Sequence, residues 1–143
     1  MIKIINYFRS KFFFRQLFKY SVVGIFNTII GLSVIYFLFN VLNFSYIFSN
    51  ILGYACGLVN SFIWNKKWTF RSSEHYSKEI IPFLTVFGIS YAVNLLAVII
   101  LVELCDIYPN VAQIMGIAAY SLTNFSVNRY WTFAVNKWIP NML

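Results

Sequence analysis

The chain is poor in charge and poorest in acid. Only 10% of its 143 residues are charged, 60% are hydrophobic, and four Asp and Glu stand against eleven Lys and Arg. Soluble domains carry about 25% charged residues. A water-soluble globule of this length has too much surface for its volume to hide so large an apolar fraction, so the composition is written for lipid. One histidine, His75, and four scattered acids exclude a metal-ligand cluster. No glycine-rich nucleotide loop and no nucleophile–base pair is present, which excludes the common catalytic layouts. The chain is therefore expected not to be an enzyme and to need no cofactor. Its two cysteines, Cys56 and Cys105, are too few for a disulfide framework and read as small buried hydrophobes. β-Branched residues are frequent, but alternation of polar and apolar residues is absent, which argues against a membrane β-barrel.

Charge is absent from long stretches in particular. No Asp, Glu, Lys or Arg occurs over the 46 residues from Tyr20 to Asn65, the 23 from Ile80 to Val102, or the 22 from Ile107 to Asn128. A spanning helix needs about 20 apolar residues, and in lipid a helix satisfies its own backbone amides. The first stretch holds two spans and the others one each. The reading is an all-α integral membrane protein of four helices, with spans near 20–39, 46–66, 80–104 and 111–130. Asn40–Asn43 and Asp106–Asn110 read as short turns, and Arg71–Glu79 as a polar connector. Pro82 is expected in the first turn of the third helix, where its missing N–H costs little. The domain boundaries expected are a basic juxtamembrane segment at 1–19, one four-helix transmembrane domain at 20–134, and a cytoplasmic tail at 135–143.

The cations set an orientation. Five lie in the amino-terminal segment (Lys3, Arg9, Lys11, Arg15, Lys19), and four at the second helix end and connector (Lys66, Lys67, Arg71, Lys78). The last two, Arg129 and Lys137, lie near the carboxyl end, and the two hairpin turns hold none. The positive-inside rule then places both termini and the middle connector in the cytoplasm. The amino-terminal basic run is too long, and the apolar stretch after it too extended, for a cleaved signal; it reads as a basic helix entering the first span. Anionic headgroups attract such residues by roughly 1 kcal/mol each. The net charge of +7 thus points to membrane lipids, and no free basic stripe is left for nucleic acid.

What is present is a repeat. Asn65-Lys66-Lys67-Trp68-Thr69-Phe70 returns 63 residues later as Asn128-Arg129-Tyr130-Trp131-Thr132-Phe133. At the same offset Gly53 matches Gly116, Ala55 matches Ala118, Ser61 matches Asn124 and Phe62 matches Phe125, while Gly24 matches Gly88 one residue out of register. Repeat one covers about 18–70 and repeat two about 82–133. Each has two spans, so the copies are expected to be parallel-oriented hairpins, related by a pseudo-two-fold axis along the membrane normal.

The candidate functional groups are the polar residues of these helices. Ser61 and Asn65, and Asn124 and Asn128, are four apart and share helix faces, with Gly53 and Gly57 above the first pair. Asn60, Asn27 and Asn94 lie elsewhere in the spans. An amide in hydrocarbon must be paired: these residues are either packing glue between helices or a polar lining for a sugar or phosphate headgroup. Lys66, Lys67 and Arg129 are either snorkelling anchors or cations for a phosphate, held by charge-assisted hydrogen bonds beside an asparagine. Trp68 and Trp131 suit the interfacial belt or a platform for a sugar face. Glu103 reads as a solvated acid at the outer end of the third helix, and His75 as exposed without a role.

The pattern resembles the GtrA-like family. The residues that carry the likeness are Phe18–Thr28 (FKYSVVGIFNT) and the two asparagine-cation-tryptophan signatures, and it extends from about Gln16 to Phe133. The resemblance implies a role in cell-surface polysaccharide synthesis, or in glycosylation of lipopolysaccharide or teichoic acid. It further implies movement of a polyprenyl-phosphate-linked sugar across the cytoplasmic membrane, or service as membrane unit to a dolichol-phosphate-mannose-synthase-like glycosyltransferase. The lipid-phosphate or sugar contacts are then expected from Asn65, Lys66, Asn128, Arg129, Asn60, Ser61, Asn124, Asn27, Asn94, Trp68 and Trp131. The expected partners are a polyprenyl-phosphate-sugar lipid, membrane lipids, a membrane glycosyltransferase and, because four helices barely enclose a groove, further copies of the chain.

Overall fold

The computed structural model describes residues 2–133, with side chains from Phe12 onward. The expected tail at 135–143, with Lys137, and the side chains of Lys3, Arg9 and Lys11 lie outside the described residues. The described chain is all-α: α1 spans Ile2–Tyr36, α2 Tyr46–Trp64, α3 Tyr76–Ile99 and α4 Pro109–Val127. Each helix finishes in a widened π-helical turn, at Phe37–Val41, Asn65–Phe70, Ile100–Leu104 and Asn128–Thr132 in chain order. With those turns, three helices are long and apolar enough to cross a membrane, at Phe12–Val41, Tyr46–Phe70 and Tyr76–Leu104. In α4 the apolar character is diluted by Asn110, Gln113, Ser121, Thr123, Asn124 and Ser126.

Burial runs opposite to that of a water-soluble protein. Among the described residues, polar side chains are buried more often than apolar ones, whereas Phe18, Ile25, Leu32, Tyr54, Ile81, Leu104 and Ile114 stand exposed. That is the arrangement a lipid solvent selects, because hydrocarbon gives no reward for hiding leucine and penalises an exposed amide. Cys56 and Cys105 are exposed, not buried as their apolar neighbours suggested; in lipid an apolar neighbourhood lies on the outside.

Several helix ends differ from the sequence expectation. The helix begun by α1 continues through Asn40 and Val41, and the connection is Leu42–Ser45. The third helix starts at Tyr76, so Pro82 lies inside it beyond the first turn, and Glu79 belongs to its first turn and not to a loop. Ser45 caps α2 by accepting from the Phe48 N–H, and His75 caps α3 by accepting from the Ser77 N–H; both leave fewer amides orphaned at a helix start. Pro109 opens α4, where proline is best tolerated.

The chain divides into two compact units, Met1–Arg71 and Ser72–Leu143, each a helical hairpin. In the first, Gly53 brings α2 so close to α1 that a Cβ there would sit 2.7 Å from the Gly31 carbonyl oxygen. Asn60 Nδ2 donates to Asn27 Oδ1 at 2.6 Å across the same seam. In the second, Gly116 meets the Asn94 and Val98 side chains in the corresponding place.

The 63-residue register holds through both helices of the hairpin and its turn. Tyr20 packs on Phe70 with ring centroids 6.4 Å apart, and Phe83 on Phe133 at 6.3 Å. Asn43 and Asp106 are both left-handed, with φ of 55° and 52°, and close the turns by equivalent wide bonds, Leu42 N–H to Phe37 O and Cys105 N–H to Ile100 O, each 3.2 Å. The expected one-residue slip that paired Gly24 with Gly88 is therefore corrected: Gly24 stands in register with Phe87. Gly24 and Gly88 both face open space, so no packing ties them together.

Candidate functional site

The two signatures are helical, and their winding decides what they bury. In the first, the Arg71 N–H bonds to the Lys66 carbonyl, five residues back, and Arg71 then turns left-handed. In the second, the Phe133 N–H bonds to the Asn128 carbonyl at 2.9 Å. A turn closed at i+5 is one residue wider than α, so both i+4 and i+5 return over i. Asn65, Lys66, Thr69 and Phe70 consequently share one buried face, as do Asn128, Arg129, Thr132 and Phe133. Lys67 and Tyr130, at the matching outer position, are exposed.

Two of the three cations are buried and the third, Lys67, is exposed. Lys66 is 3% exposed and Arg129 4%, which is expensive for a charge unless polar groups surround it. In each signature the asparagine is tied back one turn: Asn65 Nδ2 donates to Ser61 Oγ at 3.2 Å, and Asn128 Nδ2 to Asn124 Oδ1 at 2.8 Å. These bonds orient the amides, while Asn65 Oδ1, Asn128 Oδ1 and the Thr69 and Thr132 hydroxyls are buried without a hydrogen-bond partner. Buried polar groups are rarely left so. An unmet acceptor and an unmet hydroxyl recur one helical turn apart in both copies, and they suit a polar ligand.

Three further buried residues belong to this region and were not among those expected. In the first hairpin Lys19 donates to the Trp68 carbonyl at 3.2 Å, with its ammonium 4.9 Å from the centre of the Trp68 ring. Gln16, one turn earlier on the same face of α1, is 2% exposed, and neither end of its amide has a partner. In the second hairpin Glu79 is also 2% exposed and accepts a short hydrogen bond from the Ser72 hydroxyl. The signal that finds them is the repeat itself, since Gln16 and Glu79 are 63 residues apart.

The remaining expected residues divide. Ser61 and Asn124 support the signature asparagines. Asn27 and Asn60 bind each other across the first hairpin, and Asn94 lines the close approach at Gly116. Trp68 packs edge-on against Trp64 at 6.4 Å and under Lys19. Trp131 is half exposed. Glu103 is exposed, as expected, and His75 serves as a helix cap. Among the described residues no three His, Cys, Asp or Glu gather where a metal ion could be held.

Residues 19–133 match the family described as the GtrA/DPMS transmembrane domain. The chain belongs to this family. Its relatives include the uncharacterized membrane protein YngA of Bacillus subtilis, 31% identical over 83% of this chain and 80% of that one. It is also similar to the cell wall teichoic acid glycosylation protein GtcA of Listeria monocytogenes, at 24% identity over 85% of this chain and 87% of the relative. As a GtrA/DPMS member with three helices apolar enough to span, it is a multi-pass membrane protein. The match starts at Lys19 and ends at Phe133, so it takes in both signatures and the close approaches at Gly53 and Gly116.

Proposed function

We propose that the protein moves a polyprenyl-phosphate-linked sugar across the cytoplasmic membrane, for glycosylation of a cell-surface polymer such as teichoic acid. The observation that carries this reading is the duplicated, buried asparagine-cation-threonine cluster closing each hairpin. A lipid-linked sugar brings one anionic phosphate and several hydroxyls into a low-dielectric region, where both need replacement partners for water. Lys66 and Arg129 supply charge, and Asn65, Asn128, Thr69 and Thr132 supply hydrogen bonds. With both signatures at the cytoplasmic face, as the cation distribution requires, the headgroup is captured where it is made. The name of the GtcA relative, which speaks of teichoic acid glycosylation, supports the polymer class.

The test is reconstitution in liposomes with a polyprenyl-phosphate-hexose labelled in the sugar. Protein-dependent exposure of the label on the far leaflet is the expected result, lost in Lys66→Met and Arg129→Met. Label that stays on its own leaflet with folded protein present refutes the proposal. A second reading is favoured by the family description, which joins GtrA to DPMS: the chain anchors or positions a membrane glycosyltransferase without transporting. Co-purification of such an enzyme, with sugar exposure unchanged when this protein is removed, selects that reading.

A further inference from the structure

The inner face of α1 can be followed from the hairpin turn back toward the amino end. Gly31 meets the Gly53 backbone, Asn27 accepts from Asn60, Tyr20 packs on Phe70 and Lys19 donates to the Trp68 carbonyl. Each of these contacts is with the second helix of the same hairpin. Steps of three and four residues keep to one face of a helix. Gln16 is the next step, four residues before Tyr20 and three before Lys19. It therefore continues the face turned to the first signature, about one turn beyond the Trp68 contact. Gln16, Asn65 and Thr69 are all buried and all neutral. Both ends of the Gln16 amide, Asn65 Oδ1 and the Thr69 hydroxyl have no hydrogen-bond partner.

From this we infer that Gln16 recognises sugar: with Thr69 and Asn65 it forms a neutral strip, built from the first hairpin alone, that binds the hydroxyls of a lipid-linked sugar. The inference rests on the proposed function for the source of that sugar. The unmet groups set the chemistry. Asn65 gives an N–H to Ser61, and its Oδ1 can only accept. Gln16 offers Oε1, which accepts, and Nε2, which donates, while the threonine hydroxyl does both. An ionised phosphate oxygen has no hydrogen to give, so a phosphate would leave Asn65 Oδ1 and Gln16 Oε1 unmet. A sugar hydroxyl donates and accepts, and neighbouring hydroxyls of one ring can serve an amide at both ends. Residues one turn apart, as Asn65 and Thr69 are, lie about 5–6 Å from each other, a separation that one hexose ring can bridge. A site with buried groups that need hydroxyls rejects an analogue without them, because those groups are then left unpaired. None of this requires a free charge.

The test is equilibrium binding of tritiated geranylgeranyl glucoside, galactoside and N-acetylglucosaminide, which carry a sugar but no phosphate, to the full chain in phosphatidylcholine nanodiscs. Saturable binding of at least one, not displaced by geranylgeraniol, is expected; binding of none overturns the inference. For a glycoside that binds, Gln16→Met and Thr69→Val are each expected to weaken affinity about tenfold. Gln113→Met, the same change at an exposed position of α4, is expected to leave it unchanged. Equal loss in Gln113→Met, or unchanged binding in Gln16→Met, overturns the assignment. Affinity for geranylgeranyl phosphate, which has no sugar, is expected to be the same in Gln16→Met as in the unaltered chain; equal losses for glycoside and phosphate overturn the sugar reading. Gln16→Met is also expected to resist SDS at least as well as the unaltered chain, since it removes a buried amide without a partner. A lowered SDS transition accompanying the binding loss would make Gln16 a packing residue and overturn the inference. Displacement of the glycoside by phosphatidylglycerol, abolished in Gln16→Met, would assign the strip to glycerol hydroxyls and overturn the sugar as its source. The liposome assay is read separately. Undiminished transport in Gln16→Met would leave the translocation reading standing while this inference fails; Gln16-dependent glycoside binding without transport would do the reverse.

Discussion

Replacing Gly53 with alanine should open the first hairpin. The added Cβ would lie 2.7 Å from the Gly31 carbonyl oxygen and 3.0 Å from Ile35 Cδ1. The isoleucine can rotate away, but the carbonyl is helix backbone and cannot. The helices must therefore part by several tenths of an ångström before contact becomes ordinary, and overpacking of this kind costs about 1–3 kcal/mol. The same parting stretches the Asn60–Asn27 bond, 2.6 Å long across that seam, and such bonds in membrane proteins are worth about 0.6 kcal/mol each. Gly24→Ala is the control, since nothing lies within 4 Å of its Cβ and alanine is favoured over glycine in a helix by about 0.5–1 kcal/mol. Both variants gain that propensity, so it cancels, and they should differ by about 1.5–3.5 kcal/mol in unfolding free energy, the overpacking and hydrogen-bond contributions together. The assay is denaturation by SDS in mixed micelles, followed by tryptophan fluorescence, with Trp64 and Trp68 in the affected hairpin. Gly53→Ala and Gly24→Ala with coincident transitions would refute the close-approach argument.

Other outcomes follow from the same geometry. Gly116→Ala should cost less than Gly53→Ala in the same titration, because its Cβ meets the side chains of Val98 and Asn94 more closely than any backbone. Asn60→Leu should destabilise by about 1 kcal/mol by leaving Asn27 unpaired in the span, and the Asn27→Leu/Asn60→Leu double variant should recover part of that loss; strict additivity would deny the pair. Asp106→Val should cost about 1–2 kcal/mol, because its φ of 52° is hostile to a branched side chain, whereas Asp106→Gly should be close to neutral. With Cys56 and Cys105 replaced by alanine, single cysteines at Lys67 and Tyr130 should react with an impermeant maleimide from the same side of the membrane. Labelling from opposite sides would contradict the parallel orientation of the two hairpins.

The helices were legible because lipid imposes a simple rule: charge stops where hydrocarbon starts. That rule found four helices and the two hairpin connections, but it placed several ends wrongly. It treats any charged residue as outside the span, so it assigns Glu79 to the connector, whereas Glu79 is buried in the first turn of α3. Asn40 reads as part of a turn because it begins the only break in a long apolar run; its Nδ2 bonds back to the Tyr36 carbonyl at 3.1 Å and the helix runs on. The signature residues were legible from their repetition, their wide winding was not, since no apolar period announces a π turn. Carrying the 63-residue register without the slip at Gly24 would have set Gln16 against Glu79 from the sequence alone.

The broad last turn at each signature also fixes its length. A wide turn accommodates one residue more than its neighbours, and shortening the stretch between Asn65 and Phe70, or between Asn128 and Phe133, by a single position lets the backbone relax to ordinary α winding. The tighter coil would be content locally, yet the threonine and phenylalanine would swing away from the asparagine and the rings of Tyr20 and Phe83 would lose their mates. The side chain of Lys67, which is exposed, matters less to this plan than the spacing around it: a deletion beside it would be silent to the helix and ruinous to the hairpin.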